Sequence, residues 1–514
     1  MASFWKKSKK LSSQTPTEGL RKMKQPVIPT SSSLNENKEK IIDYLDHSHD
    51  IGKRELTFQG KNALLLFFVP LMDSVKLDEH IIKPLLKSQS GDLYQVLNVG
   101  SIHEMTDIME AVSFMCKGAL VLIIEGETTI WSADATRPSG RQVSEALNER
   151  VMRGAQEGFV ENVDTNINLL RRRIMNGGLI VKYIEIGSVS LTKVALVYIK
   201  GIANPRLLKE VTDRLNAIEV DALDTTGILE EAIEDSPFSP FPQILGTERP
   251  DRVVGNLLEG RIALMVEGSS LSLVAPASFI SFYQSSEDYN SRSIYASFLR
   301  IIRILGFFMA MTLPSLYIAT ISFHYELIPQ DLILTVKGSL ENVPFPPIAE
   351  ALLMVVILEL LKEASVRLPA SIAQTIGVVG GLVIGTAIVE ANLVSNMMII
   401  IIALTAISSF VVPSNEMSIA LRLLSFPLMI GATFFGYLGI VLIFMVIIMH
   451  LCILESLGYP YFTPIAPLSM AGVKDFIIRS HEQYLNKRPS IIQPTRKQRQ
   501  NALRNWEQQN ETNE

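Results

Sequence analysis

From about residue 300 to 460 the chain is almost continuously apolar, and this stretch constrains the fold more than any other feature. A hydrocarbon core of about 30 Å takes about twenty apolar residues as a helix. Five segments of that kind stand out, at about 301–322, 348–368, 373–391, 397–412 and 418–456. The last is too long for one ordinary span, and Gly436 or Gly439 is placed to turn the chain inside it. Splitting it gives six spans with both termini on one side; five spans, or a re-entrant element, is the alternative. Arg292, Arg300 and Arg303 stand at the entry, while Lys362, Arg367, Arg422 and the basic C-terminal stretch fall on that same side. Positive charge gathered on one face of the spans marks the cytoplasmic side.

One segment carries charge where lipid forbids it. Pro344, Pro346 and Pro347 set an extended entry and a helix start, and Pro369 stops the run. Between them lie Glu350, Glu359, Lys362, Glu363 and Arg367. Glu359, Glu363 and Arg367 recur at i, i+4 and i+8 with Lys362 beside them, which makes one polar stripe near the Pro369 end. Such charges must be paired or must face protein or water. The stripe reads either as an ion-pair set that fixes helix packing or as the lining of a conduit or moving contact. In the next segment Gly377, Gly381 and Gly385 form a ladder that lets another helix backbone approach closely. Packing within the chain and packing around the axis of an oligomer both use such a ladder. On the axial reading Val378 and Val379 form a narrow apolar gate, and Glu390 places a carboxylate at one mouth.

The N-terminal part has ordinary globular composition. The expected division is a polar, basic, disordered tail over 1–55, an α/β subdomain with a charged linking helix over 56–180, a second α/β subdomain over 181–290, the membrane helices over 291–460, and a basic cytoplasmic tail over 461–514. The two subdomains read as copies. Ala63–Asp73 and Ala195–Gly201 are apolar runs followed by amphipathic helices, and Gly118–Glu127 and Gly260–Ser269 are apolar runs ending in Glu-Gly. Gly126 and Gly268 supply the positive φ of a hairpin turn. Ser144–Ile174 reads as a charged helix. Its run Arg171–Arg173 reads as a solvated end or as inter-subunit ion pairs, with phosphate or lipid headgroups the alternative. Pro237–Pro250 is either a linker or a strand along a neighbour. No apolar signal-peptide core follows the basic start, so the N-terminal half is expected in a reducing cytosol.

No catalytic constellation is present. Cys116 and Cys452 lie far apart, His47 and His49 beside Asp50 have no third ligand, and Gly177-Gly178 stands outside any phosphate-binding loop. The expectation is no enzyme, no cofactor, no metal and no nucleic-acid partner. The conjunction of the duplicated soluble half, Pro344-Phe-Pro-Pro…Glu-Ala351, Glu363-Ala-Ser-Val-Arg-Leu-Pro369, the glycine helix and Pro413…Arg422 resembles the A-subunits of the GerA family of nutrient germinant receptors, over about residues 55 to 480. The resemblance implies a multi-span protein of the bacterial spore inner membrane, a nutrient-sensing B-subunit and a lipoprotein C-subunit as partners, and self-association into a ring that gates cations. A secondary transporter or permease subunit is the other class. It calls for paired membrane repeats, and the duplication in this sequence is in the soluble half.

Overall fold

Two antiparallel sheets with the same strand order carry the N-terminal half. The computed structural model describes residues 27–137, 146, 149, 151, 153–468 and 477–500. In the first unit β1 (Ile51–Phe58), β2 (Lys61–Phe68), β3 (Ile102–Met105), β4 (Ala119–Ile124) and β5 (Ile130–Asp134) lie in the order β1-β2-β4-β5-β3. In the second, β6 (Leu179–Ile186), β7 (Thr192–Ile199), β8 (Leu245–Thr247), β9 (Ile262–Val266) and β10 (Ser272–Ala275) lie in the order β6-β7-β9-β10-β8. All neighbouring strands are antiparallel. The central strands β4 and β9 are buried along their whole length, which requires cover on both faces.

The helices supply that cover. In the first unit α1 (Leu34–Tyr44) and α2 (Ile108–Cys116) close one face, and the helical stretch 74–87 closes the other. In the second, α3 (Val163–Arg173) and α6 (Pro250–Glu259) take one face, and α4 (Pro205–Asn216) and α5 (Thr226–Ile233) the other. The duplication extends to single bonds. Asn37 closes a six-residue loop onto Ser31, and Asn166 does the same onto Val160, donating at 2.6 Å and accepting at 2.8 Å in both. The glutamate of each Glu-Gly turn caps the leading helix of its own unit: Glu125 accepts from Leu34 N and Glu267 from Val163 N, each at 3.0 Å. An acidic side chain at a helix N-terminus satisfies an orphan N–H and complements the dipole. The repeated Glu-Gly is therefore a turn and a cap at once, with Gly126 at φ 85° and Gly268 at φ 90°.

Three expectations change. Residues 27–55 are not a loose tail: Leu34, Ile41 and Leu45 are buried against the first sheet, and β1 starts at Ile51. The C-terminal stretch, expected as a basic cytoplasmic tail, is bonded to the second unit within 477–500. Arg488 donates to the Leu258 carbonyl at the end of α6, and Thr495 donates to Ile202. The charged helix is helical over α3, starting at Val163, and residues 138–145, 147, 148, 150 and 152 of its approach lie outside those described. Within the proline-rich stretch, Leu245–Thr247 forms edge strand β8 and Pro250 opens α6 at its first position.

The arginine run enters the interior at one residue: Arg171 is buried, Arg172 half-buried and Arg173 exposed. Arg171 is 1% exposed and donates to both Asp50 oxygens, at 2.5 and 2.8 Å, with its guanidinium stacked 3.7 Å over the Phe68 ring. Ser48 donates to Asp50 and accepts from Val181 N, and His49 N donates to the Val181 carbonyl, so the first unit caps the free edge of β6. Breaking a buried pair from one side leaves an uncompensated charge, worth about 3–5 kcal/mol. Arg171→Ala is therefore expected to loosen the two units from each other. Hydrogen exchange in the full chain should accelerate ~100-fold or more across 47–51 and 179–183, as a loss of that size implies. Exchange within a few-fold of the parent would contradict it.

Candidate functional site

The second sheet has no surface of its own toward the helical half: one hydrophobic core runs from α3 and α6 through Phe279 and Phe307 to the last helices. Helix α7 (Ser293–Phe323) leaves the second unit, followed by α8 (Gln330–Leu340), α9 (Pro347–Arg367), α10 (Ala370–Glu390), α11 (Asn396–Phe410) and α12 (Asn415–Ile453). Phe279 sits at the joint, with the rings of Phe241, Tyr283, Phe307, Tyr461 and Phe462 between 5.1 and 6.2 Å away. Beside it, buried Asp288 receives Arg300 Nε at 3.0 Å and Arg303 Nη1 at 2.8 Å. Arg300 and Arg303, expected as charges facing the cytoplasm, are thus buried on one shared carboxylate. Arg479 joins them from the C-terminal stretch, donating to Tyr289 O.

Among the described residues two helices, α7 and α12, are long and apolar enough to cross a membrane. Gly436 interrupts α12 at φ 58°, ψ −137°, and its two arms fold back: a Cβ on Gly439 would collide with the Gly431 carbonyl. Gly306 permits a similar approach of α7 to α11, where a Cβ would stand 3.1 Å from Ser408 O.

The expected charged stripe on α9 separates into three arrangements. Glu350 is fully buried and accepts from Ser395 N at 2.8 Å at the start of α11, while Ser395 Oγ meets Tyr317 OH at 3.0 Å. That carboxylate ties α7, α9 and α11 together. Glu359 Oε1 lies 2.9 Å from Arg422 Nε of α12 and 3.8 Å from Lys362 Nζ, and Lys362 stands 4.6 Å over Phe410. Glu363 and Arg367 pair at 2.5 Å on an exposed face. The stripe is therefore a packing device at Glu350 and Glu359, and an exposed i,i+4 pair at its end.

The glycine helix behaves differently. Ile384 and Ile388 of α10 pack on the core, yet among the described residues nothing lies within 4 Å of a Cβ built on Gly377, Gly381 or Gly385. Val378 is 66% exposed and Glu390 is exposed; the side chain of Val379 lies outside those described. At the seam between α5 and the base of α12, Glu230 is pushed up to about 9 by burial and by the neighbouring Glu416 and Glu234 carboxylates. Burial pushes the Cys116 thiol up to about 11, which makes it an inert core residue. Among the described residues no group of three or more His, Cys, Asp or Glu side chains is placed to hold a metal ion.

The model of the Bacillus/Clostridium GerA spore germination proteins matches residues 39–491. The chain belongs to the GerA family. It is 37% identical to spore germination protein KA of Bacillus subtilis over 93% of this chain and 89% of that protein. It is 36% identical to the uncharacterized membrane protein YfkQ of the same organism, over 90% and 91%. A crystal structure of the N-terminal domain of the A subunit of the Bacillus megaterium spore germinant receptor GerK3 is 30% identical, covering 49% of this chain and 98% of that domain at a TM-score of 0.40.

In this GerA-family chain the sequence singles out Glu350, Glu359 and Lys362, and takes Arg422 as a cytoplasmic-side charge and as the end of the Pro413…Arg422 element, without pairing it to Glu359. Asp288, Ser395 and Tyr317 carry no signal beyond being polar near apolar runs. The two ends of the stripe should respond differently. Glu359→Gln leaves Arg422 beside Lys362 without its anion and is expected to lower the amount of protein in the membrane. Glu363→Gln removes an exposed pair worth about 0–1 kcal/mol and should leave that amount unchanged. Immunoblots of membrane fractions distinguish them, and equal loss in both would contradict the division.

Proposed function

We propose that the chain is the A-subunit of a nutrient-responsive germinant receptor in the bacterial spore inner membrane, and that copies of it associate in a ring that gates cations at the onset of germination. Family membership supports the receptor role. The observation that carries the ring is the glycine face of α10. Three glycines on one helix face, with no backbone or side chain among the described residues against them, fit close approach by another copy. A ring of such helices has a narrow, apolar axis at Val378, able to shut by dewetting, with Glu390 as a carboxylate ring at one mouth.

Six spans are the reading we adopt: α7, α9, α10, α11 and the two arms of α12. The break at Gly436 supports it. Both sheet units and the C-terminal stretch then share the cytoplasmic, spore-core side, in keeping with Arg292 at the entry of α7 and with the basic C-terminal stretch. A multi-span B-subunit that senses nutrient and a lipoprotein C-subunit are the partners this reading implies. The two sheet units bind no cofactor in it and perform no chemistry.

Purified chain in planar bilayers tests the proposal. Discrete, cation-selective conductance is expected, and Val378→Ala should raise the open fraction, because shortening an apolar gate residue eases wetting while costing only modest packing energy. Saturable solute uptake without discrete conductance would contradict the channel and favour a transporter.

A further inference from the structure

We infer that the loop from Pro237 to Pro242 anchors the second unit on the membrane, with the Phe238 ring seated in the interfacial layer of the bilayer beside the end of α12. The inference rests on the reading that α12 crosses the bilayer.

Phe238 is fully exposed, at 102%, while Phe241, three residues on, is 1% exposed. The outward ring is not a product of a slack loop. The Gln243 side chain, itself 1% exposed, bonds both backbone groups of Ser236, accepting from N at 3.0 Å and donating to O at 2.7 Å. Ser239 N closes a turn onto Ser236 O at 3.0 Å, and Pro237, Pro240 and Pro242 fix φ at three more positions. The loop holds Phe238 out and Phe241 in.

Its height is set by α12. Ser239 Oγ lies 2.9 Å from His450 Nε2, and the Phe241 ring stacks on the His450 ring at 6.2 Å. His450 is in the last turn of α12, whose Met445, Val446, Met449 and Ile453 are all exposed. That flank is what lipid covers if α12 spans. Ile453 lies only about 4.5 Å further along the helix axis than His450. Phe238 therefore extends an apolar flank that runs to the helix end, at the level where aromatic rings collect between hydrocarbon and headgroups.

The surrounding charge favours an apolar anchor over an electrostatic one. Asp235 is held by Arg214 at 2.6 Å, Glu234 accepts from Gln243 N at 3.1 Å, and Glu455 is exposed. These groups offer no basic patch to an anionic headgroup. Seating at Phe238 should accordingly be indifferent to lipid charge.

The test uses the full chain in nanodiscs, with Trp5, Trp131 and Trp506 replaced by Phe and a single reporter introduced as Phe238→Trp, Met445→Trp or Leu86→Trp. Met445 is on the exposed flank of α12, and Leu86 is exposed in the first unit. Fluorescence at 238 is expected to be quenched by brominated phosphatidylcholine and to resist aqueous iodide several-fold better than at 86. The same pattern is expected with phosphatidylglycerol added. Iodide quenching at 238 equal to that at 86, with 445 quenched from the lipid, would overturn the anchor and leave the span intact. Lipid quenching at 238 only in the anionic discs would overturn it as an apolar contact. If 445 itself is quenched from water, the span fails and the anchor falls with it.

Discussion

Asp288 carries the join between the two halves, because two guanidinium groups at the base of α7 meet on its carboxylate. Arg300 and Arg303 leave water as the chain enters the helical half, and a buried cation without an anion is costly by several kcal/mol. Asp288 accepts from both, its own backbone being held in a short helix capped by Ser285. The same requirement recurs further along, where Glu359 faces Arg422 across α9 and α12. Glu350, buried against the start of α11, is held instead by the Ser395 backbone N–H. Each of these carboxylates ties a helix to a neighbour.

Around these ties the second sheet and the helices share a core. Phe279, Phe282 and Tyr283 leave the sheet unit to pack on Phe307 and Tyr461, and Ser456, just beyond α12, donates to Gln243 and accepts from Ala277 N. The second unit is thereby built into the helical half. The first unit is attached to the second by polar ties: Asp50 to Arg171, residues 48 and 49 to β6, Asp46 to Tyr198 and Lys200, and the Pro70 carbonyl to Asn168.

Much of this was legible in the sequence, and the reasons are specific. The duplication showed because the Glu-Gly turn is constrained twice, by positive φ at glycine and by the glutamate's bond to a helix N-terminus, so it kept its form in both copies. The break at Gly436 showed because a 39-residue apolar helix exceeds one span. What was not legible depends on distance along the chain. Arg171 looks like surface charge until Asp50, 121 residues earlier, is brought to it. Residues 27–55 and 477–500 have tail-like composition because their few apolar side chains, such as Leu34, Ile41 and Ile492, are buried by other parts of the fold. The charged stripe was read as one object because helical spacing cannot distinguish a buried face at Glu350 from an exposed one at Arg367.

With Asp288 and Glu359 each paired within the chain, the glycine face of α10 stands as a packing surface that the described residues leave open. The central claim is that another copy of the chain fills it. Single cysteines at Gly377, Gly381 and Gly385, in a background lacking Cys116 and Cys452, test this under mild oxidation in membranes. The account predicts disulfide-linked dimers of this subunit from these positions, which lie on one helix face, and few from Met445 on the outer flank of α12. Cross-linking from Met445 alone, or from neither with the protein present in normal amount, would contradict it.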